Sequence, residues 1–189
     1  MSKLILIPTP IGNLGDITLR SVESIESVDI LLCEDTRRSL KLLNHLNIKK
    51  TLKSYHKFNE HSIVEKIVNQ IESGLKVGLI SDAGTPSISD PGFLIVKMCI
   101  DNNIEVECLP GPTALIPALV ISGLPTDRFT FEGFLPVKKG RKTRLVDLST
   151  EKRTMVFYES PYKLYKTLCD FKIYFGGDRE ISITKELTK

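Results

Sequence analysis

The densest set of groups able to do chemistry lies in residues 81–92, SDAGTPSISDPG. Asp82 offers a carboxylate, Ser81, Thr85 and Ser87 offer hydroxyls, and the small residues leave backbone N–H groups within reach of a ligand. Groups of this kind hold a ribose, an ammonium or a carboxylate by hydrogen bonds. A second set follows at residues 34–38, EDTRR, acid then base. Neither set contains a nucleophile paired with a base, so the chemistry indicated is binding and alignment of a small molecule.

These groups need elements to position them. The apolar run KVGLI, residues 76–80, leads into the first set, and the apolar stretch at residues 93–100 leads out. That is strand, loop, helix. Gly84 and Gly92 permit backbone geometries that other residues resist, while Pro86 and Pro91 fix φ. Asp90 and Pro91 fit an N-cap and a first helical position. A loop at the carboxyl end of a parallel strand is where open α/β sheets bind ligands.

The same plan recurs. Residues 3–7 (KLILI) end in PTPIGNLGD, residues 28–33 (VDILLC) end in EDTRR, and residues 105–109 end in PGP. The intervening stretches have helical period. Asp16 is placed to cap a helix over residues 17–26, with Leu19, Val22 and Ile25 on one face. Thr36 is placed to cap a helix carrying Leu40, Leu43 and Leu46. A short extended piece follows at residues 51–55, then an amphipathic helix over 59–73 with Gly74 at C′. Residues 113–122 predict a buried helix, which Pro117 kinks or confines to its first turn. Alternating strands and helices predict a mostly parallel α/β sheet over the first domain, residues 1–122. Its four polar loops then share one edge and describe a cleft. A smaller mixed α/β domain is expected over 124–189, with strands at 129–134, 154–158 and 180–184 and helices at 139–148 and 162–171.

The chain has 189 residues and a net charge of +3. The charge is unevenly spread. Arg37, Arg38, Lys41, Lys49, Lys50, Lys53 and Lys57 form one basic stretch, and Lys138, Lys139, Arg141, Lys142 and Arg144 form a denser one. Each adjoins a predicted site loop, which raises a phosphate-rich partner to stand level with a merely solvated face. Cys33, Cys99, Cys108 and Cys169 are scattered, with no CxxC pair, and His45, His56 and His61 show no metal-ligand spacing. No metal and no disulfide frame are expected, which fits a reducing, cytoplasmic setting. No apolar run approaches the ~18–20 residues of a membrane-spanning helix, and the N-terminus lacks a leader-cleavage pattern.

The sequence has no GxGxxG, no GxxxxGK[ST] and no GxSxG, so dinucleotide-binding, P-loop and α/β-hydrolase readings lose ground. A cleft without nucleophile or metal suits a donor that is already activated, such as S-adenosylmethionine, whose methyl group needs mainly alignment and exclusion of water. That argument permits methyl transfer without requiring it.

PTPIGNLGDIT (8–18), EDTRR (34–38), SDAGTPSISDPG (81–92), LPGPTA (109–114), GLPTDRFTFEGFLPVKKGRK (123–142), FYESP (157–161) and KELTK (185–189) occur in this order. Together they resemble the branch of the tetrapyrrole (corrin/porphyrin) methylase superfamily that methylates small-subunit ribosomal RNA. The resemblance implies a two-domain α/β fold, a homodimer, and S-adenosylmethionine bound between the domains. It implies 2′-O-methylation of a cytidine ribose in the decoding region of 16S rRNA, presented as RNA or as the small ribosomal subunit. By position it implies a donor site of Ser81, Asp82, Ala83 and Gly84 in the long loop, with Ile88 beyond. Thr113 and Ala114 are implied at the methionine end, Pro10 along the cleft, and Leu135, Tyr158 and Thr184 over the adenosine. It also implies a further helix and closing strand after KELTK, so the second domain is expected to be incomplete.

For the acceptor, a ribose hydroxyl gains from a positioned base. Glu34, Asp35, Glu159, Lys185 and Glu186 are candidates, and Asp35 with Arg37 stands beside the first basic stretch. The same residues also fit a plain helix start, and Lys185 with Glu186 fits an ion pair. Arg38, Lys138, Lys139, Arg141 and Lys142 are candidate phosphate contacts. Two other functions fit less closely: a methyltransferase acting on a tetrapyrrole-like small molecule, and a non-catalytic RNA-binding assembly factor.

Overall fold

The computed structural model describes residues 2–189. The chain forms two compact units, the first running to Ala114 and including Thr188–Lys189, the second Leu115–Leu187. Residues 115–122 thus belong with the second unit.

The first unit is a five-stranded parallel sheet in the order β3-β2-β4-β1-β5. Its strands are β1 (Lys3–Leu6), β2 (Ile30–Cys33), β3 (Leu52–Ser54), β4 (Lys76–Leu79) and β5 (Val106–Cys108). The extended piece at 51–55 is therefore a full member of the sheet, at its edge, and the cleft-forming edge has five strands rather than four. Alternate side chains go to opposite faces, as strand geometry requires. Leu4, Leu6, Leu32, Val77 and Leu79 pack on one face with α3 (Glu60–Glu72) and α4 (Phe93–Asp101) through Val64, Ile67, Ile71, Ile95 and Cys99. Ile5, Ile7, Leu31, Cys33 and Ile80 pack on the other with α1 (Leu19–Ser27) and α2 (Thr36–His45) through Ile25 and Leu43. Burial on both faces is why these strands read as continuous apolar runs. At Gly78 a Cβ would stand 2.9 Å from Leu31 Cδ1 and 3.2 Å from Ile7 Cδ1, so only glycine lets these layers close over β4.

Several helix starts differ from expectation. Asp16 ends a 3-10 turn whose cap is Asn13, and α1 starts three residues later, at Leu19, capped by the Thr18 hydroxyl accepting from Ser21 N. Leu19 is consequently 82% exposed rather than on the buried face. Asp35, not Thr36, caps α2, and Leu40 on that helix is exposed. α4 starts at Phe93 behind Gly92, not at Pro91 behind Asp90.

The second unit holds α5 (Leu115–Val120), β6 (Phe129–Phe134), α6 (Arg141–Leu148), β7 (Thr154–Tyr158) and α7 (Leu164–Phe175). β6 and β7 pair in parallel, with a register shift between Phe131 and Gly133 that leaves Glu132 as the extra residue. Leu135, Leu145 and Leu148 form the core, closed by Met155, Phe157, Phe171, Tyr174 and Phe175. The Phe157, Phe171 and Phe175 rings follow one another at 4.9 Å spacings. Two expectations fail here. Residues 180–184 form no strand, so the sheet has two strands, paired in parallel, rather than three. The helix expected to be buried is only partly so: Leu119 of α5 is buried, while Ile116, Pro117 and Val120 are exposed. Pro117 is its third residue, inside the first turn, where a missing N–H costs no helical hydrogen bond.

Candidate functional site

In the first unit the strand order sets where a ligand can enter. From β2 the chain moves outward to β3 through α2, on one face. From β4 it moves the other way, to β5, through α4 on the opposite face. The carboxyl ends of β2 and β4 are neighbours from which connections diverge, and such a switch point leaves a crevice. Residues 34–38 and 81–92 flank it.

Specific bonds draw the site loops together. Thr9 and Gly84 form an antiparallel bridge, with N···O distances of 3.0 and 2.9 Å. Thr9 Oγ1 donates to Ser81 O at 3.1 Å, and Thr85 Oγ1 donates to Pro112 O at 3.3 Å. Asp35 N donates to Asp82 Oδ1 at 3.2 Å, and Arg38 pairs with Asp82 Oδ2 at 3.0 Å. The loops after β1, β2 and β5 are thus all tied to the loop after β4. Pro10, Ser81, Asp82, Ala83, Gly84, Thr113, Ala114, Asp35 and Arg38 lie on these tied loops. Ile88 is 42% exposed and is not a core residue.

The long loop is irregular for a reason. Ser87 and Ser89 adopt φ of 71° and 62°, and Gly92 adopts 145°. No side chain other than hydrogen tolerates Gly92: a Cβ there would meet Ser87 Oγ at 2.0 Å and Leu79 Cδ2 at 3.1 Å. Ser87 Oγ is buried without a hydrogen-bond partner. Asp90, displaced from any capping role, lies near Glu34 and Asp82. Burial first, then Glu34, pushes its carboxyl up to about 6; the Ser81 hydroxyl pulls it back and Asp82 adds to the rise. Glu34 is itself pushed up by burial and by Asp82, against the pull of Lys57, Arg38 and His56.

Asp35 goes the opposite way. Its carboxylate accepts from Arg37 N at 2.9 Å and from the Arg37 guanidinium at 3.2 and 3.0 Å, which holds it down to about 2. Asp35 and Arg37 therefore cap and brace α2, and a carboxylate so stabilised is a poor base. Asp90 is the residue sequence reasoning missed; Pro91 after it suggested a helix start, and nothing local reveals its neighbours across the crevice.

The second unit carries the remaining candidates. The Tyr158 ring stands 5.0 Å from Phe131 and 5.5 Å from Phe134. Leu135 is 7% exposed and belongs to the core. Lys138, Lys139 and Lys142 are exposed, as a phosphate contact requires. Arg141 is not. It pairs with Asp170 at 2.8 Å and donates to Thr167 Oγ1 at 2.8 Å and Pro136 O at 3.2 Å. Thr167 in turn donates to Glu159 Oε2 at 2.6 Å, and Ser160 N donates to Glu159 Oε1 at 2.7 Å. Arg141 is thus the centre of a network joining α6, α7 and the loop after β7, which corrects its assignment to RNA. Glu159 is held by the same network. Thr184, Lys185 and Glu159 line a cavity of about 700 Å³ whose walls include Met155, Phe157 and Phe171. Glu186 takes a φ of 52°. Among the described residues no group of His, Cys, Asp and Glu is arranged to hold a metal ion, and no helix is long and apolar enough to cross a membrane.

A parallel sheet with a switch-point crevice, followed by a smaller α/β unit, defines the class: residues 3–189 match the model of the Tetrapyrrole (Corrin/Porphyrin) Methylases, and the chain belongs to that family. Within it, the chain is 48% identical to ribosomal RNA small subunit methyltransferase I of Vibrio cholerae, over 98% of this chain and 65% of that protein. It is 47% identical to the proteins of that name from Synechocystis and Thermotoga maritima, over 100% of this chain and 68% and 85% of theirs. The chain spans about two thirds of the length of most of these relatives. Among solved structures, a cobalt precorrin-4 methyltransferase superposes with a TM-score of 0.65 at 21% identity, covering 94% of this chain and 76% of that one. The uroporphyrin-III C-methyltransferase of Thermus thermophilus complexed with S-adenosyl homocysteine superposes with a TM-score of 0.63 at 18% identity, covering 93% and 78%. These two likenesses establish the fold.

Proposed function

We propose that this chain transfers a methyl group from S-adenosylmethionine to the 2′-oxygen of a cytidine ribose in the decoding region of 16S rRNA. In this reading it acts in the cytoplasm, as a homodimer, on the RNA or the small ribosomal subunit. The observation that carries it is the identity of 48% to a ribosomal RNA methyltransferase, sustained over 98% of the chain.

The first unit suits such a donor. S-adenosylmethionine carries two cationic centres, a sulfonium and an ammonium. The crevice gathers Glu34, Asp82 and Asp90 closely enough that the Asp82 charge raises Glu34, and both raise Asp90. Ser87 Oγ, buried and unpartnered, has a hydrogen bond to offer a polar ligand. The donor supplies an activated methyl group; the chain's residues align the acceptor and take its proton. Ser81, Asp82, Ala83, Gly84, Ile88, Pro10, Thr113 and Ala114 hold the donor from the first unit, and Leu135, Tyr158 and Thr184 contribute from the second. Asp90, with its raised pKa, is the carboxylate best matched to accept the ribose proton near neutral pH.

Calorimetric titration with S-adenosylmethionine, followed by transfer of labelled methyl to 16S rRNA and to small subunits, tests the reading. Donor binding with label on a cytidine 2′-oxygen is expected. Donor binding with no transfer to RNA would reject the acceptor, and absence of donor binding would reject the donor site.

A further inference from the structure

The loop after β3 presents Phe58 almost wholly to solvent, at 86% exposure. The loop itself is firmly built. Asn59 Oδ1 accepts from His56 N at 2.8 Å, and Asn59 Nδ2 donates to Ser54 O at 3.1 Å. The N–H groups of Asn59 and Glu60 both donate to His56 O at 2.9 Å. Tyr55 at its base is 1% exposed, and Tyr55 N donates to Cys33 O at 2.8 Å. Phe58 is thus displayed from a fixed turn, not from a loose tip.

Its surroundings are charged. Lys57 Nζ stands 5.0 Å from the Phe58 ring centroid, and the His56 ring meets it edge-on at 6.0 Å. β2 and β3 are parallel neighbours, so this loop and residues 34–38 leave the same edge of the sheet side by side. Arg37, 89% exposed, and Arg38, 68% exposed, belong to that neighbouring loop. Ser54 Oγ donates to Glu34 O at 3.5 Å, joining the two. Arg37 pairs with Asp35 and Arg38 with Asp82, both on the solvent side, while Lys50 donates to Glu26 O and Val28 O and Lys53 to Gln70.

A single exposed phenylalanine is ordinary. Phe58 differs in its company. An apolar protein partner would be met by apolar neighbours, but here the ring is bordered by an ammonium and an imidazole, with two exposed guanidinium groups on the neighbouring loop. A flat apolar face within positive charge complements a flat π-face on an anionic backbone. We infer that Phe58 is a stacking platform for an unpaired base of single-stranded RNA, with Lys57 and Arg37 meeting the adjoining phosphates. The inference rests on the RNA reading above and adds the form in which RNA is engaged beside the crevice.

The test compares binding of the full chain to a single-stranded oligocytidylate of about ten nucleotides and to an RNA duplex of similar length. Phe58→Ala is expected to weaken single-strand binding about tenfold, leave duplex binding unchanged and preserve the salt slope; Phe58→Trp is expected to keep wild-type affinity. Lys57→Ala is expected to lower the salt slope by about 0.7. Because Phe58 is largely exposed and meets only Lys57 and His56 of its own loop, donor affinity measured on the same variants stays constant. Wild-type single-strand affinity in Phe58→Ala, or an equal loss for duplex, overturns the inference while leaving the RNA reading in place. A wild-type chain that binds donor but neither RNA overturns the RNA reading itself.

Discussion

The Arg38 guanidinium of α2 lies 3.0 Å from the Asp82 carboxylate, so one side of the switch-point crevice is tied to the other by an ion pair. Asp82 also accepts from Asp35 N at 3.2 Å. Arg38 is 68% exposed, so solvent screens the pair and its worth to folding is under about 1 kcal/mol. Its value lies in placing the carboxylate. Asp82→Ala is therefore expected to weaken S-adenosylmethionine at least tenfold in calorimetry, with little change in a urea unfolding curve. Undiminished donor affinity would remove Asp82 from the site.

In the proposed reaction Asp90 links activity to stability. Its carboxyl titrates near 6 in the folded chain against an ordinary value of 3.8, so the folded chain holds the proton more tightly. The protonated form favours folding: stability is greatest below the ordinary value and declines as pH rises to about 6. Ionised Asp90 is thus a strain at neutral pH, of about 3 kcal/mol less what solvent screens. Asp90→Asn is expected to raise the melting temperature at pH 7.5 and to flatten the stability profile between pH 4 and 6, while lowering kcat roughly a hundredfold or more. Full kcat in that variant would show that another group takes the ribose proton.

Arg141 separates a structural cation from an RNA-binding one. Its side chain is 12% exposed and paired with Asp170, so Arg141→Ala leaves a carboxylate without its partner. A loss of about 3 kcal/mol in thermal or urea unfolding is expected. The salt slope of RNA binding should not move, whereas Lys138→Ala with Lys139→Ala should lower it. A normal unfolding curve for Arg141→Ala would show that the network is decorative.

Gly92 controls the shape of the long loop. Gly92→Ala puts a side chain at φ 145° and against Ser87. A cost of about 2–3 kcal/mol and a loss of donor affinity are expected. Adding Ser87→Gly should recover the steric share and leave the backbone share, measured as partial return of the melting temperature.

Much of this arrangement was legible in the sequence, for a physical reason. A strand buried on both faces must be apolar throughout, so KLILI, ILLC and KVGL announce themselves, and their polar loops must then share one edge. β3 was less legible because LKS sits at the sheet edge with its residues only partly buried. Helix starts were misread where two capping residues stood close together. Asp16 and Thr18 both suit an N-cap, and only the 3-10 turn closed by Asn13 decides for Thr18. Asp90 followed by Pro91 has the form of a cap, but left-handed turns at Ser87 and Ser89 delay the helix to Phe93. Arg141 was misassigned because charge in sequence carries no record of the Asp170 and Thr167 side chains that meet it from α7. The segment at 180–184 has strand composition, but composition does not supply a pairing partner.

The bridge between Thr9 and Gly84 restricts how this site can diversify. Only two residues separate the end of β1 from Thr9, and four separate the end of β4 from Gly84. The bridge closes these spans into a small ring of fixed circumference. An inserted residue inside the ring would break both backbone bonds at once. Insertions after Thr9 or after Gly84 leave it intact. Length variation among descendants of this chain is thereby channelled into residues 10–17 and 85–92, the outer arcs of the two loops.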